Sequence, residues 1–345
     1  MSLVTDPERT RELLDEMREA GAALPCFCTE NSWTTEAILR ATQKVGEELG
    51  VPAPPVSIAF TGAYHRRSNL RNWWLAEDMQ TGFTSVMDEI RSLASNGGPY
   101  GTCRVLPHLD HGDPDGDDWL MEKHADEFAM IMYDGGELSF EENVRRTKQY
   151  VESFGDRVVV EGAVAALKEA SEDVDAFGLT TADEAREFLE RTGCDLIVPN
   201  VGTEHRASEA GIAEYHPERA QEIARTTGSV LVLHGTSSLA DQELLRLPGD
   251  GIVKVNVWTV IERKGAEAMA RYLLENAGDM IPPSALQELA DAGLFPQGRV
   301  PTPGSNGPQV THFPLVEWRK RWTDRVVQTL FTIFRSLGYA NLPSS

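Results

Sequence analysis

Short apolar runs rich in Val, Ile, Leu and Phe punctuate the 345-residue chain at regular intervals. They read "ALPCFC" (23–28), "PVSIAF" (55–60), "CRVLPHL" (103–109), "EFAMIMY" (127–133), "RVVVEGA" (157–163), "DLIVPN" (195–200), "SVLVLH" (229–234) and "GIVKVNV" (251–257). Eight such runs are candidate strands buried on both faces. Between them the pattern changes to a helical period. In "SFEENVRRTKQYVESFG", Phe140, Val144, Thr147, Val151 and Phe154 share one face, Ser139 stands at the N-cap with Glu142 three residues on, and Gly155 ends the run. "TTADEAREFLERTG" and "HPERAQEIARTTG" repeat the design, the second with Pro217 at its start and Gly228 at its end.

This alternation predicts an α/β fold, a parallel (β/α)8 TIM barrel over residues 1–280; a doubly wound open sheet alternates in the same way and remains the other option. Residues 281–345 break the rhythm. There "PPSALQELADAGLFPQG", the Pro/Gly-rich "GRVPTPGSNGP" and the amphipathic "LVEWRKRWTDRVVQTLFTIFRSLG" predict a C-terminal helical extension, packed on the barrel or against a partner subunit.

The net charge of −22 argues against nucleic acid or an anionic membrane surface as a partner, since both require a basic face. No apolar run reaches the roughly 18 residues of a membrane span, and "MSLVTDPERTRELLDEM" starts a capped, charged helix rather than a signal peptide. The expected location is the cytoplasm. Cys26, Cys28, Cys103 and Cys194 fall in apolar stretches and read as small buried filler; a reactive or metal-binding Cys26/Cys28 pair is the alternative.

In a barrel the chemistry gathers at the C-terminal ends of the strands. Three histidines fall there: His111 after the third run, His205 in "NVGTEHR" after the sixth, and His234 at the end of the seventh. Three neutral imidazoles at one mouth suit a catalytic zinc with one position left for water or substrate. His65, His108, His124, His216 and His312 lack that placement, and His108 is expected on the opposite face of its strand. Asp110 enters the same mouth, either as an acid/base or as a carboxylate that orients a histidine. Of the acids that follow in "HLDHGDPDGDDW", Asp113, Asp115, Asp117 and Asp118 are expected to be a solvated loop and helix cap. The loops "HGTSS" and "NVWT" offer Gly235, Ser237, Asn256 and Thr259 as an anion cradle.

From about residue 20 to 275 the ordered set "FTGAY", "HLDHG", "YDGGELSFEENV", "VVEG", "TADEAREFLERTGCD", "GTEHR", "VLVLHGTSS" and "KVNVWT" resembles the class II, metal-dependent fructose-bisphosphate and tagatose-bisphosphate aldolases. The resemblance implies a lyase of carbohydrate metabolism that makes or breaks a carbon–carbon bond beside a ketone through a zinc-stabilised enediolate. By position it implies that His111, His205 and His234 hold Zn2+ and that Asp110 is the acid/base at the hydroxyl of the aldehyde half. It further implies that Glu172, in "KEASED", exchanges the proton at carbon, that Asn31 is an active-site asparagine, and that Gly235, Ser237, Asn256 and Thr259 bind phosphate. A homodimer and an accessory monovalent cation also follow from the family.

The departures concentrate around the substrate. The family's second acid after the fifth strand is Ala163 here and the glycine that follows is Ala165, changes at the accessory metal site and the loop hinge. Arg206 replaces a glycine in "GTEHR", and Trp258 stands in the eighth-strand loop. An added segment, "HRRSNLRNWW", is either an exposed helix start or an overhang that brings Arg66, Arg67 or Arg71 to an anionic group. These changes predict a ketose, sugar phosphate or keto acid substrate other than fructose 1,6-bisphosphate. A metal-dependent hydrolase or isomerase built on the same histidines, or a catalytically silent homologue, are the alternatives.

Overall fold

A computed structural model of the chain describes residues 3–166, 178–205, 214–300 and 315–344. Eight parallel strands close into a barrel in sequence order: β1 (Leu24–Cys28), β2 (Pro55–Phe60), β3 (Arg104–Gly112), β4 (Met130–Tyr133), β5 (Val159–Ala163), β6 (Leu196–Val198), β7 (Leu231–Leu233) and β8 (Ile252–Val257). Pairing of β8 with β1, Leu24 with Lys254 and Cys26 with Asn256, excludes the open sheet. Apart from Arg104, every strand residue is buried, because the barrel interior takes one face and the helical ring the other.

The helices are α1 (Pro7–Glu19), α2 (Ser32–Leu49), the short α3 (Asn69–Asn72), α4 (Met79–Ala94), α5 (Phe140–Phe154), α6 (Ala182–Thr192), α7 (Pro217–Thr227), the short α8 (Asp241–Leu244), α9 (Thr259–Met280), α10 (Pro283–Asp291) and α11 (Leu315–Ser336). Local sequence explains most of their ends. Thr181 and Glu184 form a reciprocal capping box on α6, and Pro217 opens α7. At α5, Ser139 occupies the N-cap but its hydroxyl makes no capping bond, and Glu142 pairs with Arg145 instead.

The C-terminal segment divides. Helix α11 packs between α2 and α9, and its Trp322, Val326, Leu330 and Phe334 belong to the barrel's own apolar core. Phe334 meets Phe27 of β1 edge-on at 5.3 Å, and beyond the helix the Tyr339 hydroxyl donates to the Pro55 carbonyl at 2.6 Å. Gly265 lets α11 approach α9: a Cβ there would lie 2.4 Å from the Trp322 indole. By contrast α10 forms a small separate cluster of Ala277, Leu286, Ala290 and Phe295. Among the described residues no helix is long and apolar enough to cross a membrane.

Candidate active site

The site begins with an irregularity in β3. Alternation turns His108 and Asp110 toward the barrel axis and would turn His111 away from it. The β3–β4 register shifts between Leu109 and Gly112, and His111 takes φ of 50°, a conformation that costs a non-glycine residue about 1 kcal/mol or more. Consecutive residues therefore both enter the mouth. The same alternation corrects the expectation for His108. It lies inside the barrel beneath Asp110, with Nε2 3.4 Å from Lys254 Nζ and 3.8 Å from Glu161, and burial and the Lys254 charge keep its imidazole neutral.

Three strands bring His111, His205 and His234 together so that one ring nitrogen of each lies within 4.8 Å of the others. The His234 Nε2 is buried and has no hydrogen-bond partner among the described residues. Burial lowers His205 to about 3 and His234 well below its usual value, so both offer neutral lone pairs. His111 is held from behind: Asp134, just past β4, stands 2.7 Å from Nδ1, and the Tyr64 ring stacks on the imidazole at 4.2 Å. Its pKa is raised, since the attraction of Asp110 and the bond to Asp134 outweigh burial. Three converging imidazoles, one with an orphaned nitrogen and one backed by a carboxylate, fit a divalent ion such as zinc.

Asp110 is the carboxylate of the cleft. Asn256 donates to one oxygen at 2.9 Å, while the Cys28 thiol at 3.3 Å and Arg67 at 3.5 Å approach the other. Asn256 in turn accepts from Lys254 at 2.6 Å, and Lys254 pairs with Glu161 at 3.0 Å in the barrel interior. Burial would raise Asp110, but the positive charge of His111 and of Arg67 outweighs it and holds the group well below the usual carboxylate range. The amide of Asn256 is thus bound between Lys254 and Asp110. Gly235 (φ 74°), Ser237 and Thr259 line the cleft as expected, and a Cβ on Gly235 would lie 2.9 Å from the Glu204 amide nitrogen. Thr236 donates to the Asn256 carbonyl and ties the two loops together.

Of the three arginines in the added segment, Arg67 alone lines this cleft, with its guanidinium 4.2 Å over the Trp258 ring. Arg66 points to a neighbouring bay beside Glu137, and Arg71 is exposed on α3. Asn31 is exposed and caps α2, accepting from the amides of Trp33 and Thr34, so its side chain is not among those lining the cleft. Glu172 and Arg206 lie outside the described residues. Asp117 corrects a further expectation. Rather than being solvated, it is fully buried and accepts from Ala63 N at 2.8 Å and Asp113 N at 3.0 Å, which clamps the β3 loop to the β2 loop. Asp113 closes a turn onto Asp115 and Gly116, and the exposed Asp115 pairs with Arg146.

Residue type and strand position did not single out Asp134, Tyr64, Glu161 or Lys254, and they offered Cys28 only as half of a reactive or metal-binding pair with Cys26. "YDGG" at the end of the fourth run does place an acid in the layer of His111, and that was the available signal for Asp134. All four cysteines are free and buried, and burial pushes the Cys26 thiol up to about 12; Cys28 differs in facing the cleft.

Known proteins match this arrangement. The family model for class-II fructose-bisphosphate aldolase matches residues 8–306. A fructose-bisphosphate aldolase of Staphylococcus epidermidis is 30% identical over 280 residues, covering 79% of this chain and 88% of that protein, and one of Staphylococcus aureus is 29% identical over the same length. Among solved structures, a fructose-bisphosphate aldolase from Campylobacter jejuni superposes with a TM-score of 0.76 at 19% identity over 99% of this chain and 97% of that one. The YdjI aldolase of Escherichia coli K12 superposes with a TM-score of 0.60 at 20% identity over 95% and 96%. By the breadth of the family match and the agreement of the barrel, this chain belongs to the class II fructose-bisphosphate aldolase family.

Proposed function

We propose that the protein is a zinc-dependent aldolase that cleaves or forms a carbon–carbon bond beside a ketone, on a ketose, sugar phosphate or keto acid other than fructose 1,6-bisphosphate. The observation that carries this reading is the convergence of an ionised carboxylate, Asp110, with three imidazoles in one cleft. When bound at His111, His205 and His234, zinc supplies Lewis acidity toward a ketone oxygen. In the cleavage direction Asp110 takes the proton of the hydroxyl on the carbon that becomes the aldehyde, and the electron pair of the breaking bond stays with the ketone half. Asn256 and Arg67 hold Asp110 ionised and aimed for that transfer. Glu172 is proposed to return a proton to the ketone half. Gly235, Ser237 and Thr259 orient its anionic end.

The altered loops favour a substrate other than fructose 1,6-bisphosphate: Trp258 and Arg67 add bulk and charge to the wall of the mouth. Incubating the zinc-replete enzyme with a ketose panel, and identifying the aldehyde and ketone products, tests the reading. Cleavage of fructose 1,6-bisphosphate with kcat/KM of about 10⁴ M⁻¹s⁻¹ or more overturns the substrate prediction. Hydrolysis without carbon–carbon cleavage overturns the reaction class. We read the assembly as a homodimer, by analogy with the family. Sedimentation at micromolar concentration checks it.

A further inference from the structure

The added segment and the eighth-strand loop together build a feature with no role in holding metal. Arg67 is 10% exposed at its side chain, yet its contacts are loose: Nη2 is 3.5 Å from Asp110, Nε is 3.7 Å from Glu30, and Nε has no hydrogen-bond partner among the described residues. A buried guanidinium with donors left open is costly unless something else completes its coordination. The Trp258 ring closes one face of the guanidinium at 4.2 Å and fixes its plane, so an incoming group reaches the donors edge-on.

We propose that Arg67, clamped by Trp258, binds a carboxylate carried by the aldehyde-derived half of the substrate and so determines specificity at that end of the cleft. A carboxylate is planar and accepts two parallel N–H bonds from a guanidinium edge, which is the approach that the stacked indole leaves open. The surrounding charge selects a monoanion. Asp110 and Glu30 already flank Arg67, and Glu262, whose Oε1 is buried without a partner among the described residues, lies close enough to feel both Glu30 and Arg67. Burial and Glu30 raise Glu262 to about 7, a sign that negative charge is already disfavoured here. A phosphate dianion would meet this acidic wall with twice the repulsion of a carboxylate. Asp110 lies beside Arg67 in the same cleft, which puts the carboxylate near the carbon whose hydroxyl Asp110 deprotonates. Assignment to the aldehyde half rests on the aldolase reading; carboxylate binding by Arg67 does not.

The test measures binding first and turnover second, on the zinc-loaded full chain. Calorimetry with propionate and with n-propyl phosphate compares wild type, Arg67→Lys and Arg67→Gln, with zinc content and circular dichroism melts as folding controls. Arg67→Lys keeps the charge and loses the fork, so it carries the test even where Arg67→Gln fails to fold. Propionate affinity is expected to fall at least tenfold in Arg67→Lys, with n-propyl phosphate changed less than twofold. Unchanged propionate affinity, or a loss confined to n-propyl phosphate, overturns the assignment. In the condensation direction, Arg67→Lys lowers kcat/KM for every acceptor to the extent that Arg67 holds Asp110 ionised, so the readout is the ratio: kcat/KM for glyoxylate relative to glycolaldehyde is expected to drop at least tenfold in Arg67→Lys. A wild-type preference for glyceraldehyde 3-phosphate that Arg67→Lys abolishes overturns it. If no acceptor reacts but propionate binding still depends on Arg67, the aldolase reading falls and the carboxylate site stands.

Discussion

The bond between His111 and Asp134 makes a quantitative prediction about metal affinity. Asp134 Oδ2 stands 2.7 Å from Nδ1, which fixes the proton on Nδ1 and leaves Nε2 as the electron-pair donor. The side chains are 3% and 22% exposed, so solvent screens the pair only in part. A hydrogen bond to a charged group contributes about 1.5–3 kcal/mol. Loss of a carboxylate behind a ligating histidine weakens metal binding by about 10–100-fold, or roughly 1.4–2.7 kcal/mol, and the two figures agree. Asp134→Ala, which removes both charge and acceptor, is expected near the upper end; Asp134→Asn, which keeps the shape and loses the charge, near the lower. Competition against a chromophoric chelator measures zinc affinity, with circular dichroism melts confirming the fold. Glu127→Ala supplies the control, because His124 makes the same kind of bond to Glu127 at 2.6 Å but stands apart from the three-histidine cluster. If Asp134→Ala binds zinc as tightly as wild type, or if Glu127→Ala weakens binding equally, the reasoning is refuted.

Three further predictions concern stability. Burial raises Asp117 to about 6 against the pull of two backbone amides, so the folded chain holds this proton more tightly than the unfolded chain, whose reference value is 3.8. Its contribution is complete below pH 3.8 and is lost as pH rises toward 6, by about 3 kcal/mol at roughly 1.4 kcal/mol per pH unit. Urea unfolding of wild type and Asp117→Asn across pH 4–7 should show wild type losing stability relative to Asp117→Asn as pH rises, since the amide does not titrate; a pH-independent difference counts against the assignment. Lys254→Met leaves Glu161 buried and unpaired and should cost about 3–5 kcal/mol, most of it regained in Lys254→Met/Glu161→Leu; if the double variant is no more stable than the single, the pair is not what matters. Phe334→Ala should cost about 3–5 kcal/mol in the same assay, since its ring is fully buried against Phe27 and Tyr339; a loss under about 1 kcal/mol would show that α11 is dispensable to the barrel.

The number of strands, the helical faces and the three histidines could be read directly from the chain because each depends on position along one element. Apolar runs of strand length, a period near 3.6 between them, and a histidine just past a run are one-dimensional facts. His108 marks the limit of that logic: alternation predicts facing only while the pleat is regular, and the bulge at His111 turns two consecutive residues inward. Asp117 looked like one of several loop acids, and its burial depends on Gly62 and Ala63 arriving from another strand to cover it.

Sequence alone therefore determined the strand–helix alternation and the residue types offered at the barrel mouth, since period and hydropathy act locally. Closure of β8 on β1, the backing of His111 by Asp134 and Tyr64, the entry of Arg67 beneath Trp258 and the place of α11 in the outer ring were decided by tertiary structure. Each is a meeting of segments far apart in the chain. Whether a charged side chain there is solvated or becomes part of a site depends on what the fold brings opposite it, and no local pattern carries that information.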